Sequence, residues 1–347
     1  MSRAAVIFDT NSCRSIRTDQ SFFGNRNILL DISSRATIIL PQIVIDELIQ
    51  QNAEGAKANI NSLRNNTLLD VFEFDRQTLE QFDSYTHATS LLENEPIKYM
   101  VIDILNLKKA YEKIKEWAIK GKAPFNKRTE DGKNNSDKGF KDALIACSVD
   151  DFIKSKTFDK YYLVCDDGRL KEYYKDSRYL TCMDAASVLS DLDREFFDDY
   201  MLSVIRDTIS MPKAELKESW TNIDSDVVGL FGYEEYETVV IVDSVSKEVI
   251  SYADFLSVSG YDSFTSSGSF SITHSLTGDI VESLQFYKPA DLEHIKSALV
   301  VNDQVYGIGT DEDVKTIAQK VFEYFKSDLT DQELEHFNVY YNIRDRL

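Results

Sequence analysis

Apolar and polar positions follow two different rules along this chain. In roughly the first 182 residues, short apolar runs alternate with stretches of helical spacing. Ala4–Phe8 (AAVIF) and Thr37–Leu40 (TIIL) read as strands buried on both faces, and Tyr161–Cys165 and Arg178–Cys182 as further strands. Leu68–Phe74 is another short strand candidate. Asn27–Ser34, the stretch opened by Pro41, Arg76–Glu93, Ile97–Lys120, Phe140–Lys154 and Leu170–Lys175 carry helical spacing. This alternation predicts an α/β domain, a parallel sheet with helices on both faces. Met183–Met211 reads as one long helix closing it. Beyond Pro212 the period changes. Thr238–Val242 and Glu248–Tyr252 read as a hairpin, and Ser269–His274 and Ile280–Tyr287 alternate with a period of two. Val314–Lys326 and Asp331–Tyr341 read as terminal helices. The expected architecture is an α/β domain over 1–211 and a smaller β-rich α+β domain over 212–347.

The strand ends carry the chemistry. The first strand runs into Asp9-Thr10-Asn11, and the second, through Pro41, into a helix bearing Asp46 and Glu47. Lys138-Gly139-Phe140-Lys141-Asp142 opens a third helix, and Tyr161–Cys165 ends in Asp166-Asp167-Gly168. In open α/β sheets the ligand crevice lies beyond the carboxyl ends of the strands, where such acids would meet. Each acid alone fits a helix cap or turn equally well. Glu47 falls about two turns into its helix, where its side chain can point back toward the strand ends, whereas Asp46 is rotated about 100° away. Carboxylates gathered in one cleft repel one another, and magnesium or manganese, which favour oxygen ligands, would relieve that repulsion.

Charge narrows the picture further. The formal net charge of −20 is unusual for a protein that handles a polyanion. Most of it lies late in the chain: residues 201–347 hold 11 Lys+Arg against 26 Asp+Glu, a net −15, leaving a net −5 for 1–200. Residues 108–141 hold 11 basic and 5 acidic residues, a local +6 that would steer a polyanion or simply solvate a helix face and loop. Gly121–Gly139, inside this stretch, reads as a long loop without periodicity. Cys13, Cys147, Cys165 and Cys182 form no C-x-x-C pair, which fits free thiols in a reducing cytoplasm. Of the four histidines only His87 lies in the first domain, away from the acids. No apolar run approaches the length that spans a bilayer, and no secretory signal is expected.

With those four acidic stretches in order, residues 2–184 resemble the PIN domain family of metal-dependent nucleases. The resemblance implies that Asp9, Glu47, Asp142 and Asp167 are the catalytic acids and hold Mg2+ or Mn2+, with Asp166 as the alternate fourth ligand. It also implies that Thr10 and Asn11 support the site. In the fourth motif Cys165 stands where the family has a hydroxyl, removing a good hydrogen-bond partner. The third motif resembles a bacterial branch more than the small toxin ribonucleases. The implied activity is endonucleolytic hydrolysis of RNA, possibly DNA, in the cytoplasm. Lys120, Lys122, Lys127, Arg128, Lys138 and Lys141 are the candidate substrate contacts. The alternative is a catalytically silent PIN fold that binds nucleic acid or acts as a scaffold. An aspartyl-phosphate phosphatase would want Asp-x-Asp after the first strand, where this chain has Asp9-Thr10-Asn11. The acidic second domain is expected to mediate self-association, or to bind a protein partner or cover the basic cleft.

Overall fold

The computed structural model describes residues 3–14, 22–64, 79–95, 97–125, 139–326 and 328–343. The expected strand at Leu68–Phe74, and Lys127, Arg128 and Lys138, lie outside them. The chain divides into two compact units, Met1–Leu192 and Asp193–Leu347. This division falls within the segment expected to be one closing helix. That segment is two helices, Ala185–Phe196 and Asp199–Thr208. The second starts where the Asp198 carboxylate accepts a bond from the Met201 N–H at 2.9 Å.

In the first unit β1 (Ala4–Phe8), β2 (Thr37–Pro41), β3 (Tyr99–Ile102), β4 (Lys160–Val164) and β5 (Leu180–Met183) form one parallel sheet, ordered β3-β2-β1-β4-β5. Every residue of β1 is buried, as its unbroken apolar run predicts. Ile7 pairs with Ile39 on one side and Leu163 on the other. Strand order runs outward in both directions from β1. The carboxyl ends of β1 and its neighbours, where the order reverses, are the usual ligand position in such sheets.

The expected helix Ile97–Lys120 is corrected. Its first part, Tyr99–Ile102, is the edge strand β3, paired in register with β2, and the helix covers only Leu107–Lys120. Tyr-Met-Val-Ile is a β-prone run, and the open edge of β2 takes it up. Asn106 caps the helix that follows, accepting from the Lys109 N–H.

The second unit begins with a four-stranded antiparallel meander: β6 (Glu215–Thr221), β7 (Val227–Tyr233), β8 (Tyr236–Val242) and β9 (Val249–Asp254). The hairpin of β8 and β9 is where the sequence places it; β6 and β7 were not expected. Alternate residues of β7 and β8 enter two cores. Val228, Leu230, Val239 and Ile241 join the core shared with the later helices, while Val227, Phe231, Val240 and Val242 pack with Phe196, Met201 and Ile205. The strands expected at Ser269–His274 and Ile280–Tyr287 are corrected: Phe270–Ser283 is a helix, followed by a turn of 3-10 helix at Leu284–Phe286. Its buried residues, Thr273, Thr277 and Ile280, have helical spacing, whereas Phe270 and Ile272 are exposed.

Because β1 is central and fully buried, Ile7→Ala should lower the stability of the protein by about 2–5 kcal/mol. Denaturant unfolding followed by Trp117 fluorescence, with Trp220 replaced by Phe, measures this. A loss below about 1 kcal/mol would contradict the central position of the strand.

Candidate active site

β1 ends where its ladder makes one last bond, from the Asp9 N–H to the Val164 carbonyl at 3.1 Å. The next step starts a short helix, Thr10–Cys13, which Asp9 caps through a bond from the Ser12 N–H to Oδ1 at 2.8 Å. A rigid strand and a cap together fix this side chain, leaving Asp9 only 3% exposed. Burial raises its pKa from the usual carboxylate range, the Ser12 bond opposes that, and the nearby Asp166 charge raises it further.

Glu47 reaches the same place from the helix Gln42–Arg64. The buried Thr10 hydroxyl donates to its Oε2 at 2.8 Å, tying the second helix to the end of β1. Gln51, one turn on, donates to Oε1 at 3.2 Å, and the Lys141 ammonium bonds the same oxygen. Asp46 points elsewhere, is exposed and accepts from Gln42. Asn11, the other expected support residue, is also exposed.

Asp142 lies in the first turn of the helix Phe140–Ile153. Gly139 starts this helix with φ at +107°, and a Cβ there would lie 2.6 Å from the Pro124 carbonyl oxygen. Only glycine fits that approach. The fourth acid follows β4. Asp167 caps the helix Gly168–Tyr174, and both cap bonds, from the Arg169 and Leu170 N–H groups at 2.7 and 3.1 Å, fall on Oδ1. Asp166 is exposed. Its backbone N–H supports Asp9.

These acids act on one another. The Asp142 pKa is pushed up to about 6, first by burial, then by Asp167, Asp9 and Glu47, while Arg169 pulls it down. Four carboxylates from four segments thus share one electrostatic field. Among the described residues, no three His, Cys, Asp or Glu side chains are gathered tightly enough to hold one ion. The donor set nevertheless suits magnesium, which takes one or two carboxylates and completes its shell with water. Two residues outside the sequence-based set belong to this arrangement. Gln51 could be found from its i+4 spacing to Glu47, and Arg169 from its place in the first turn after Asp167.

The candidate substrate contacts separate. Lys141 is exposed and pairs with Glu47, while Lys120 and Lys122 lie within ion-pair distance of Glu116 at 2.7 and 3.8 Å. Cys165 is buried beside Cys182, and the interaction of the two thiols raises the Cys165 pKa and lowers that of Cys182. The sulfur thus meets another thiol, where the family has a hydroxyl.

The raised Asp142 pKa sets a pH dependence. The folded protein holds this proton more tightly than the unfolded chain does. The contribution to stability is therefore fully present below about pH 4 and lost as pH rises to about 6. In chelator, Asp142→Asn should be more stable than the parent near pH 7.5, by roughly 1–3 kcal/mol, and should gain little near pH 4. Thermal melts at both pH values check this. An equal gain at both would mean that the acids do not crowd Asp142.

No curated protein and no solved structure matches the chain. Residues 6–169 match the family model of the PIN domain, a span that opens inside β1, holds all four acids and closes at Arg169. PIN domains are generally nucleases, most of them dependent on a divalent metal. The N-terminal part of this chain, with its central parallel strand and four acids in order, belongs to the PIN domain family.

Proposed function

We propose that this protein is a metal-dependent endonuclease that hydrolyses phosphodiester bonds, in RNA above all, at a site formed by Asp9, Glu47, Asp142 and Asp167. The observation that carries this reading is the environment of Asp142, whose pKa is raised first by burial and then by three other acids from three other segments of the chain. Carboxylates brought together only as caps would have no reason to face one another. Mg2+ or Mn2+ would be held by Asp9 and Asp142 with water, and with help from Asp167 or Asp166. When bound, the ion offsets the crowded charge and lowers the pKa of an attached water toward neutrality.

The chain's own groups prepare that chemistry. Asp9 is fixed by strand and cap and presents a buried carboxylate at the head of the crevice. Thr10 fixes the Glu47 rotamer, and Lys141 neutralises part of its charge. Asp167 spends Oδ1 on the helix cap and keeps Oδ2 for a ligand. Arg169 offers a cation beside Asp142, within the same field, where a scissile phosphate would bring negative charge. We assign the acidic second unit to association with another copy or protein partner, since the net −15 of residues 201–347 opposes contact with a nucleic-acid backbone. No helix among the described residues is long and apolar enough to cross a membrane.

Asp9→Asn should abolish manganese-dependent cleavage of RNA while leaving the protein folded, and in chelator at least as stable as the parent. A cleavage assay beside a thermal melt tests both, and cleavage at the parental rate would refute the mechanism. The basic stretch should act on affinity instead. Neutral residues at Lys120, Lys122, Lys127 and Arg128 should raise KM and flatten its dependence on salt, with kcat nearly unchanged. An unaltered salt slope would show that the stretch does not touch substrate.

A further inference from the structure

The first unit has a concave site at the amino ends of two of its strands. A cavity of about 650 Å3 lies among Lys154, Lys156, Phe158, Lys160, Arg178 and Tyr179, within the usual size range for small-molecule sites. Lys160 is the first residue of β4, and Arg178 and Tyr179 immediately precede β5. These are the amino ends of the strands. Asp166 lies six residues beyond Lys160, roughly 20 Å along extended chain. The cavity is therefore distinct from the acid cluster.

Its charge is of the opposite sign. Four cations line it against two acids, and both acids are already engaged: Asp159 accepts from the Arg3 N–H at 2.7 Å and Asp191 from the Tyr162 hydroxyl at 2.8 Å. Lysines following a helix C-terminus are ordinarily explained by the helix dipole, and Lys154 and Lys156 follow one. That dipole amounts to about half a charge. It does not account for Lys160 and Arg178, which come from two other segments. Lys154 pairs with Asp151, but neither Lys156 nor Arg178 meets a carboxylate among the described residues. Tyr179 is 66% exposed at the cavity and pairs with no other ring among the described residues. Uncommitted cations beside an open aromatic face suit a ligand that joins phosphate to a planar base.

We propose that this cavity binds a nucleotide, its phosphates against Lys156 and Arg178 and its base on the Tyr179 ring. The proposal is independent of the nuclease reading, since none of its residues belongs to the acid cluster. Isothermal titration of the full chain with ADP tests it, run in EDTA so that the acids repel phosphate. Saturable binding is expected, weakened roughly tenfold or more in the double variant Lys156→Ser, Arg178→Ser. Tyr179→Ala should weaken ADP binding and leave inorganic phosphate binding unchanged. Asp9→Asn should bind as the parent does. A 5′-phosphorylated oligonucleotide that binds through the same residues would identify a strand end as the source of the nucleotide. Absence of binding, binding unchanged in the double variant, or binding lost in Asp9→Asn would each overturn the proposal.

Discussion

A charged side chain at the end of a fully buried strand is the constraint on which the first unit depends. Five apolar residues fix β1 between β2 and β4, leaving the chain no freedom where Asp9 emerges. A carboxylate that buried is costly unless it is bonded and its charge compensated. The Ser12 and Asp166 N–H groups supply the bonds. Compensating charge must come from outside the acid cluster, and the site chemistry follows from that need.

Capping and ligation are often set against each other as explanations for an acid at an element boundary. Here they coincide. Asp9 and Asp167 both cap helices, and Asp167 does so with one oxygen alone. A cap fixes the rotamer, so the remaining oxygen is oriented before any ligand arrives. Stabilising the helix start and preorganising the site are then the same interaction.

The sheet and its acids were legible because strands buried on both faces leave unbroken apolar runs that stop where the polar residues begin. AAVIF followed by Asp9 carries its meaning without tertiary context. The second unit was less legible because its helix Phe270–Ser283 buries Thr273 and Thr277 and exposes Phe270 and Ile272. Read by hydrophobicity, that stretch alternates like a strand; read by burial, it has helical spacing. β3 misled for a related reason: as an edge strand it is only partly buried, and neighbouring helical sequence extends into it. Lys141 belongs to a third kind. Its place in a basic stretch suggests substrate, and from the first turn of its helix it also pairs with Glu47, which the sequence did not show.

That ion pair orders the acids by need. Glu47 receives a hydroxyl, an amide and an ammonium, so much of its charge is already met within the protein. Asp167 receives two backbone N–H groups. Asp142 has the charge of Arg169 set against burial and three like charges, and its pKa is pushed up to about 6. Asp9 is also raised, despite its cap. Uncompensated negative charge is therefore concentrated on the Asp9–Asp142 side of the crevice. On the proposed reading a divalent cation would gain most there, since Lys141 already neutralises Glu47. The unequal distribution of charge partners, more than the number of acids, gives the site a direction.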